Sequence, residues 1–371
     1  MKFWKIVKSR EFKIILVVLL ILVIGLIELG SASYTSDTNY SNIKKQIIAV
    51  VIGAIACGIA LTIDYDLYCR FWYVFYAVCL VMLVLVLFTA PINNARSWFM
   101  FFDRKIAFQP SEVTKIVLIL AMAKMLTDLK KNVLSAKDTF IRVLIILGIL
   151  GVPILLILKQ PDFGTAMVIV AAMLAMVFIW GIDYKYIRFA IIGALIIAPL
   201  TYFFALSPVQ KNRINVFFNP DLDPQGAGYH VIQSKLAVGA GGFSGMGLYN
   251  GIQTQRGYLF AQTTDFIFAA IAEEMGFIVA TILIVLLILL VINSLMIAKD
   301  ARDEEGRLIA VGLATMFAFH IFINVGMTMG LAPITGIPLP FVSYGGSSML
   351  TNMVALGILL GISIRKTGLR F

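Results

Sequence analysis

A chain of 371 residues that is 60% hydrophobic and only 13% charged, with a mean hydropathy of +0.95, carries more apolar surface than one soluble core can hide. This excludes a soluble domain and predicts an all-α integral membrane protein, a single polytopic unit over residues 1–371. The formal net charge of +10 comes with no nucleic-acid motif, so it is a membrane-topology signal with some capacity for phosphate, and no nucleic-acid partner is expected.

A bilayer core takes about 20 apolar residues per helix. Ten stretches qualify, near 14–30, 46–63, 71–89, 112–127, 140–158, 164–181, 187–206, 265–298, 308–330 and 347–364. Lys2, Lys5, Lys8, Arg10 and Lys13 precede the first run and "GSAS" (30–33) follows it, in the manner of a signal peptide. The length of the run favours a retained first helix. Cys57, Cys69 and Cys79 lie in or beside early spans, so neither a disulfide nor a zinc site is expected. With ten spans and the N-terminus inside, inner segments hold 17 Lys and Arg and outer segments 10, which favours both termini in the cytoplasm.

Under that orientation the inner connections are short, charged and solvated, for example "DYDLYCR" (64–70) and "KDARDEEGR" (299–307). The outer face differs. It carries "APINNARSWFMFFDRKIAFQPSE" (90–112), "KQPDFGTA" (159–166), a large extracellular loop between helices 7 and 8 over 207–264, and "GLAPITGIPLPFVSYGGSS" (330–348). Pro333, Pro338 and Pro340 rule out a continuous helix in the last of these and imply irregular backbone buried in protein or lining a cavity. Helices four, six, eight and ten all begin outside, so four positive dipole ends face one surface, an arrangement suited to an anion such as pyrophosphate.

The polar residues cluster at those same ends: Glu112 and Lys115, Asp162, Asp265, and Ser347 with Ser348. Asp265 in "QTTDFIFAAIAEEMGF" (262–277) reads either as a first-turn acid behind a Thr263 or Thr264 cap, or as a functional acid at the membrane edge. Glu273 and Glu274 lie two to three turns deeper, with at most Glu273 on the same face, and read as packing or ion-pair residues. Lys115 opposes its helix dipole and enters the bilayer, so it needs a carboxylate or an anionic ligand, with Glu112, Asp162 and Asp265 as candidates. Asp162 reads equally as a turn residue after Pro161. "GAGGFSGMG" (239–247) has no strand before it, so it reads as a flexible loop or re-entrant turn that lets backbone approach a ligand, not as a dinucleotide site. "GMTMG" (326–330) is a helix-packing pattern. His230 and His320 lack metal-ligand spacing and read as structural.

Six ordered motifs together resemble the SEDS family (shape, elongation, division and sporulation): "ARSW" (95–98), "QPSEVTK" (109–115), "QPDFGTA" (160–166), "YHVIQSKLAVGAGGFSGMGL" (229–248), "TDFIFAAIAEEMGF" (264–277) and "GIPLPFVSYGGSS" (336–348). "IQSKLA" and the short termini are similar to the RodA branch. The chain departs from many relatives where a Leu-Pro-Glu run is replaced by Leu259, Phe260 and Ala261, which implies that the glutamate is not essential here.

The resemblance implies a ten-helix peptidoglycan glycosyltransferase of the bacterial cytoplasmic membrane with an outward-facing cavity and lipid II as substrate. It also implies a required aspartate at Asp265, a class B penicillin-binding protein (a transpeptidase) as partner, and other membrane proteins of the elongation complex. On that footing Asp265 is the expected general base on the acceptor hydroxyl, in an inverting displacement that expels undecaprenyl pyrophosphate. Lys115, Arg96, Arg213, Lys235 and Arg256, with the helix ends and a divalent cation (Mg or Mn), are candidates to offset the leaving-group charge. Two rival readings are a lipid II flippase, which ten helices and broken segments also suit, and a noncatalytic scaffold. A division or sporulation polymerase is the alternative within the family.

Overall fold

The computed structural model describes residues 9–34, 41–91, 96–101, 106–131, 136–205 and 208–365. Several charges counted for orientation, among them Lys2, Lys5, Lys8, Arg104, Lys105, Lys366 and Arg370, lie outside the described residues, as does residue 207 at the start of the expected loop. In chain order the elements are α1 (Arg10–Ala32), α2 (Ser41–Thr62), α3 (Tyr65–Arg70), α4 (Trp72–Val86), β1 (Phe99–Phe101), β2 (Ile106–Phe108), α5 (Pro110–Lys131), α6 (Ala136–Lys159) and α7 (Phe163–Trp180). They continue with α8 (Tyr184–Leu200), α9 (Pro208–Phe218), α10 (Ala227–Ala240), α11 (Ile252–Gln255), α12 (Ile267–Lys299), α13 (Glu304–Met329) and α14 (Gly346–Arg365).

Among the described residues, seven helices are long and apolar enough to cross a membrane: α1, α2, the Phe140–Lys159 part of α6, α7, α12, α13 and α14. The protein is therefore an all-α, multi-pass membrane protein. The other three expected spans fall on helices that are short or polar for a crossing. α4 has 15 residues, α8 has 17, and α5 carries Glu112, Lys115, Lys124 and Asp128 along its 22 residues.

α1 illustrates the local logic. Ser9 caps it by accepting from the Phe12 amide at 3.2 Å. Ile14, Val18, Ile21, Gly25 and Leu29 face the bundle, while Leu16, Leu19, Leu20 and Val23 stay exposed, as they do on a helix with protein on one side and lipid on the other. α14 packs along α2, α12 along α13 and α1, and α13 against α7. A Cβ on Gly357 of α14 would sit 2.4 Å from the Cys57 carbonyl oxygen of α2, so that crossing depends on the missing side chain.

Two features depart from the sequence expectation. The aromatic stretch before α5 folds as a small antiparallel hairpin, with Phe99 opposite Phe108 and Phe101 opposite Ile106. The eighth expected span is also broken, because Gly276 inside α12 has φ 79° and ψ −179°, a conformation open chiefly to glycine. The "GAGGFSGMG" loop fills that break. The amides of Met246 and Gly247 donate to the carbonyls of Glu273 (2.9 Å) and Glu274 (3.0 Å), and the Phe277 amide donates to Gly242 at 2.9 Å. The glycines thus let the loop approach α12 backbone. A Cβ on Gly245 would stand 2.2 Å from the Glu274 carbonyl oxygen.

Candidate active site

Besides α2, which runs parallel to α14, four long helices start at one end of the bundle, and hydrogen bonds tie those starts together. Gln109 precedes Pro110, a residue suited to the first helical position because its missing N–H is not needed there. The Gln109 amide N–H donates to Ser347 Oγ at the start of α14 (3.1 Å), and Ser347 Oγ donates to the Ala107 carbonyl (3.2 Å). Gln109 Nε2 and Ser111 Oγ both donate to Asp162 Oδ2 at 2.8 Å, while Asp162 Oδ1 caps α7 by accepting from the Thr165 amide at 3.2 Å. The segment before α12 joins the same cluster: Tyr344 N–H donates to the Thr263 carbonyl (2.9 Å) and Ser343 Oγ to the Thr264 carbonyl (2.6 Å). The positive ends of α5, α7, α12 and α14 therefore collect in one region, as the sequence clustering predicts.

Asp265 lies on a turn two residues before α12, not inside its first turn. Phe266 occupies the cap position and makes no side-chain capping bond. The Asp265 carbonyl accepts from Asn324 Nδ2 at 2.9 Å, and the same amide reaches the Ile337 carbonyl at 2.8 Å. Its half-buried side chain stands over Gly336, where a Cβ would come within 3.6 Å of Oδ2. Burial pushes the carboxyl above the usual carboxylate range, opposed in part by a hydrogen bond from Thr264 and by the positive field of Arg213. A carboxylate so placed is a stronger proton acceptor than a solvated one.

Lys115 is almost wholly buried. Its ammonium lies 2.9 Å from Glu112 Oε1 and 2.9 Å from Nε2 of His320 on α13, whose Nδ1 faces the Pro338 carbonyl at 3.0 Å. Glu112 is thus the carboxylate that the sequence left open among three. Its second oxygen, Oε2, is buried without a partner. His320 was invisible to motif spacing because its polar contacts come from α5 and from the irregular proline segment.

The remaining candidates sit differently. Asp162 and Ser347 are occupied in holding helix ends together. Ser348 accepts from Asn352 Nδ2 within α14 at 3.3 Å. Arg96 is exposed and donates to the Leu87 carbonyl at 3.2 Å. Lys235, whose stem lies against Gly330, and Arg256 are exposed. Glu273 and Glu274 are taken up by protein donors. Glu273 accepts from the amides of Gln253 (2.7 Å) and Thr254 (2.9 Å), and Glu274 from Ser31 Oγ, the Tyr249 amide and Gln255 Nε2. They brace the loop against α12. "GMTMG" closes α13, with Gly330 as its left-handed cap. Among the described residues no three of His, Cys, Asp and Glu gather to hold a metal ion. The donor set at Asp265 is thus one carboxylate, which would fit a magnesium ion whose remaining ligands came from substrate phosphates and water. A cavity of about 590 Å³ lies at the opposite end of the bundle among charges such as Lys124, Lys130, Glu304 and Glu305 that already pair with one another.

Over residues 12–368 the chain matches the model of the cell cycle protein family of FtsW, RodA and SpoVE. The chain belongs to this family. It is 36% identical to stage V sporulation protein E of Bacillus subtilis, covering 96% of this chain and 97% of that one. It is 34% identical to the peptidoglycan glycosyltransferase MrdB of Escherichia coli, covering 95% and 93%. Among solved structures it resembles a chain of a peptidoglycan synthase complex that coordinates polymerization and crosslinking (TM-score 0.80, 28% identity, 96% and 98% covered). It also resembles the rod shape determining protein RodA of Thermus thermophilus (TM-score 0.70, 26% identity, 96% and 97% covered). The family match over residues 12–368 includes both Lys115 and Asp265.

Proposed function

We propose that this SEDS protein is a peptidoglycan glycosyltransferase that polymerises lipid II at the outer face of the bacterial cytoplasmic membrane in cell elongation. The observation that carries the reading is the pairing, at one end of the bundle, of four helix N-termini with the half-buried, proton-hungry Asp265. Both termini are taken to be cytoplasmic, which puts that end and the segment 207–264 outside. There two lipid-anchored substrates can meet head group to head group while their tails stay in the bilayer.

Asp265 accepts the proton of the acceptor sugar's 4-hydroxyl. The freed oxygen forms a bond to the donor's anomeric carbon as the carbon–oxygen bond to the pyrophosphate breaks, with inversion, and undecaprenyl pyrophosphate leaves with the electron pair. Pyrophosphate leaves without protonation, so no second carboxylic acid is needed. Its growing charge is met by the helix ends, Lys115 and Arg213, with Arg96, Lys235 and Arg256 available at the rim. Glu112 holds the Lys115 ammonium in place, while Asp162, Ser347 and Ser348 hold the walls of the site. The partner proposed for the product is a class B penicillin-binding protein, a transpeptidase, as the synthase complex among the structural relatives supports.

The break at Gly276 favours a second reading, a lipid II flippase, because discontinuous helices are a transporter device. Purified protein given lipid II in detergent, with its transpeptidase partner, decides between them. Glycan ladders from wild type and none from Asp265→Ala support polymerisation. No ladders from either, with lipid II translocation intact in vesicles, supports the flippase.

A further inference from the structure

We infer that His320 is a positioning residue of the polymerisation site, holding the Lys115 ammonium in place and coupling it to the turn that carries Asp265. The inference rests on the polymerase reading above. A lysine ammonium has only donors to offer, so the His320 Nε2 that meets it at 2.9 Å is a bare acceptor. The ring proton is then on Nδ1, where it donates to the Pro338 carbonyl at 3.0 Å. The two contacts demand the same neutral tautomer, and an imidazolium would set an N–H against the ammonium.

One turn further along α13, Asn324 faces the same way. Its single amide nitrogen donates to the carbonyls of Ile337 and Asp265 at 2.8 and 2.9 Å. His320 and Asn324 therefore grip adjacent residues, Pro338 and Ile337, of one irregular strap. Each extends its grip to one of the two groups the chemistry needs: His320 to Lys115 and Asn324 to Asp265. The strap has no helix or sheet of its own between Ala332 and Pro340, so its position relative to α5 is set by such side-chain bonds. The ring is 1% exposed and meets the cation and the strap without reaching solvent, which suits a spacer and not a proton carrier.

Two substitutions separate the contacts. His320→Gln keeps an acceptor near the place of Nε2 and loses the donor to Pro338. His320→Asn keeps a donor near the place of Nδ1 and loses the acceptor for Lys115. With lipid II polymerisation as the assay, His320→Asn is expected to lower kcat by about 100-fold, the cost of a misplaced charge, with little change in KM. His320→Gln is expected to restore kcat to within about 5-fold of wild type on the same argument. Thermal unfolding in detergent accompanies each variant, and the contrast in kcat is expected between variants that melt alike. The inference is overturned if Asn sustains turnover and Gln does not, since the ring would then only fasten the strap. It is also overturned if both variants turn over like wild type while Asp265→Ala is dead, which leaves the polymerase reading standing. A wild-type chain that makes no glycan overturns that reading and this inference with it.

Discussion

Replacing Lys115 with methionine, similar in length but uncharged, leaves the Glu112 carboxylate buried with no cation beside it. Glu112 is 2% and Lys115 1% exposed, and the Lys115 ammonium is the partner of Oε1 while Oε2 has none. Breaking a buried pair from one side costs about 3–5 kcal/mol. His320 Nε2 also loses its donor, which adds about 1–3 kcal/mol for an unsatisfied buried acceptor. Adding Glu112→Gln to Lys115→Met removes the stranded charge and should recover about 3 kcal/mol of the loss. The melting order in detergent is therefore wild type, then the double variant, then Lys115→Met alone. Both variants lose glycan synthesis, because the ammonium proposed to meet the pyrophosphate is gone in each. A double variant that melts no higher than Lys115→Met would refute the account of Glu112 as the charge that Lys115 neutralises.

Further expected outcomes concern Asp265 and the broken helix. The acid limb of the polymerisation pH profile should lie above the ordinary aspartate range of about 3.9, because burial raises the Asp265 pKa. A raised carboxyl contributes stability that is full at low pH and lost as pH rises through its folded value, so Asp265→Asn should melt at or above wild type at neutral pH. Gly276→Ala should destabilise by about 2 kcal/mol or more, since its φ of 79° disfavours a side chain and a Cβ would meet the Gly245 nitrogen at 2.2 Å. Thermal unfolding measures it. Glu273→Ala orphans the amides of Gln253 and Thr254 and should open residues 249–257 to limited proteolysis before the bundle melts. Glu28 is fully buried with both oxygens unpartnered, so Glu28→Met should raise the melting temperature by relieving an uncompensated polar group.

The membrane class and the polar end of the bundle were legible because both follow from composition and from the direction in which helices start. Lys115 stood out because a lysine one turn into a helix from its N-terminus opposes the dipole, and the structure gives it the carboxylate that this argument requires. The proline-rich strap was likewise readable, since three prolines forbid a continuous helix. His320 was not readable. Its partner Lys115 is 205 residues away in sequence, and a lone histidine in an apolar helix carries no spacing signal. The break at Gly276 was hidden for a related reason, because glycine is ordinary in membrane helices and the bonds that replace the lost helical ones come from the distant 241–247 loop. The glycines of that loop let its backbone close on α12. The hairpin before α5 was obscured by strands of three residues, too short for an alternation to show.

The most direct test of the central claim is single-turnover polymerisation of lipid II by the Asp265→Asn protein, which keeps the shape of the side chain and removes its basicity. The account predicts a folded protein, melting no lower than wild type at neutral pH, that binds lipid II and forms no glycan. Glycan formed at the wild-type rate would contradict it, because no general base at position 265 would then be needed.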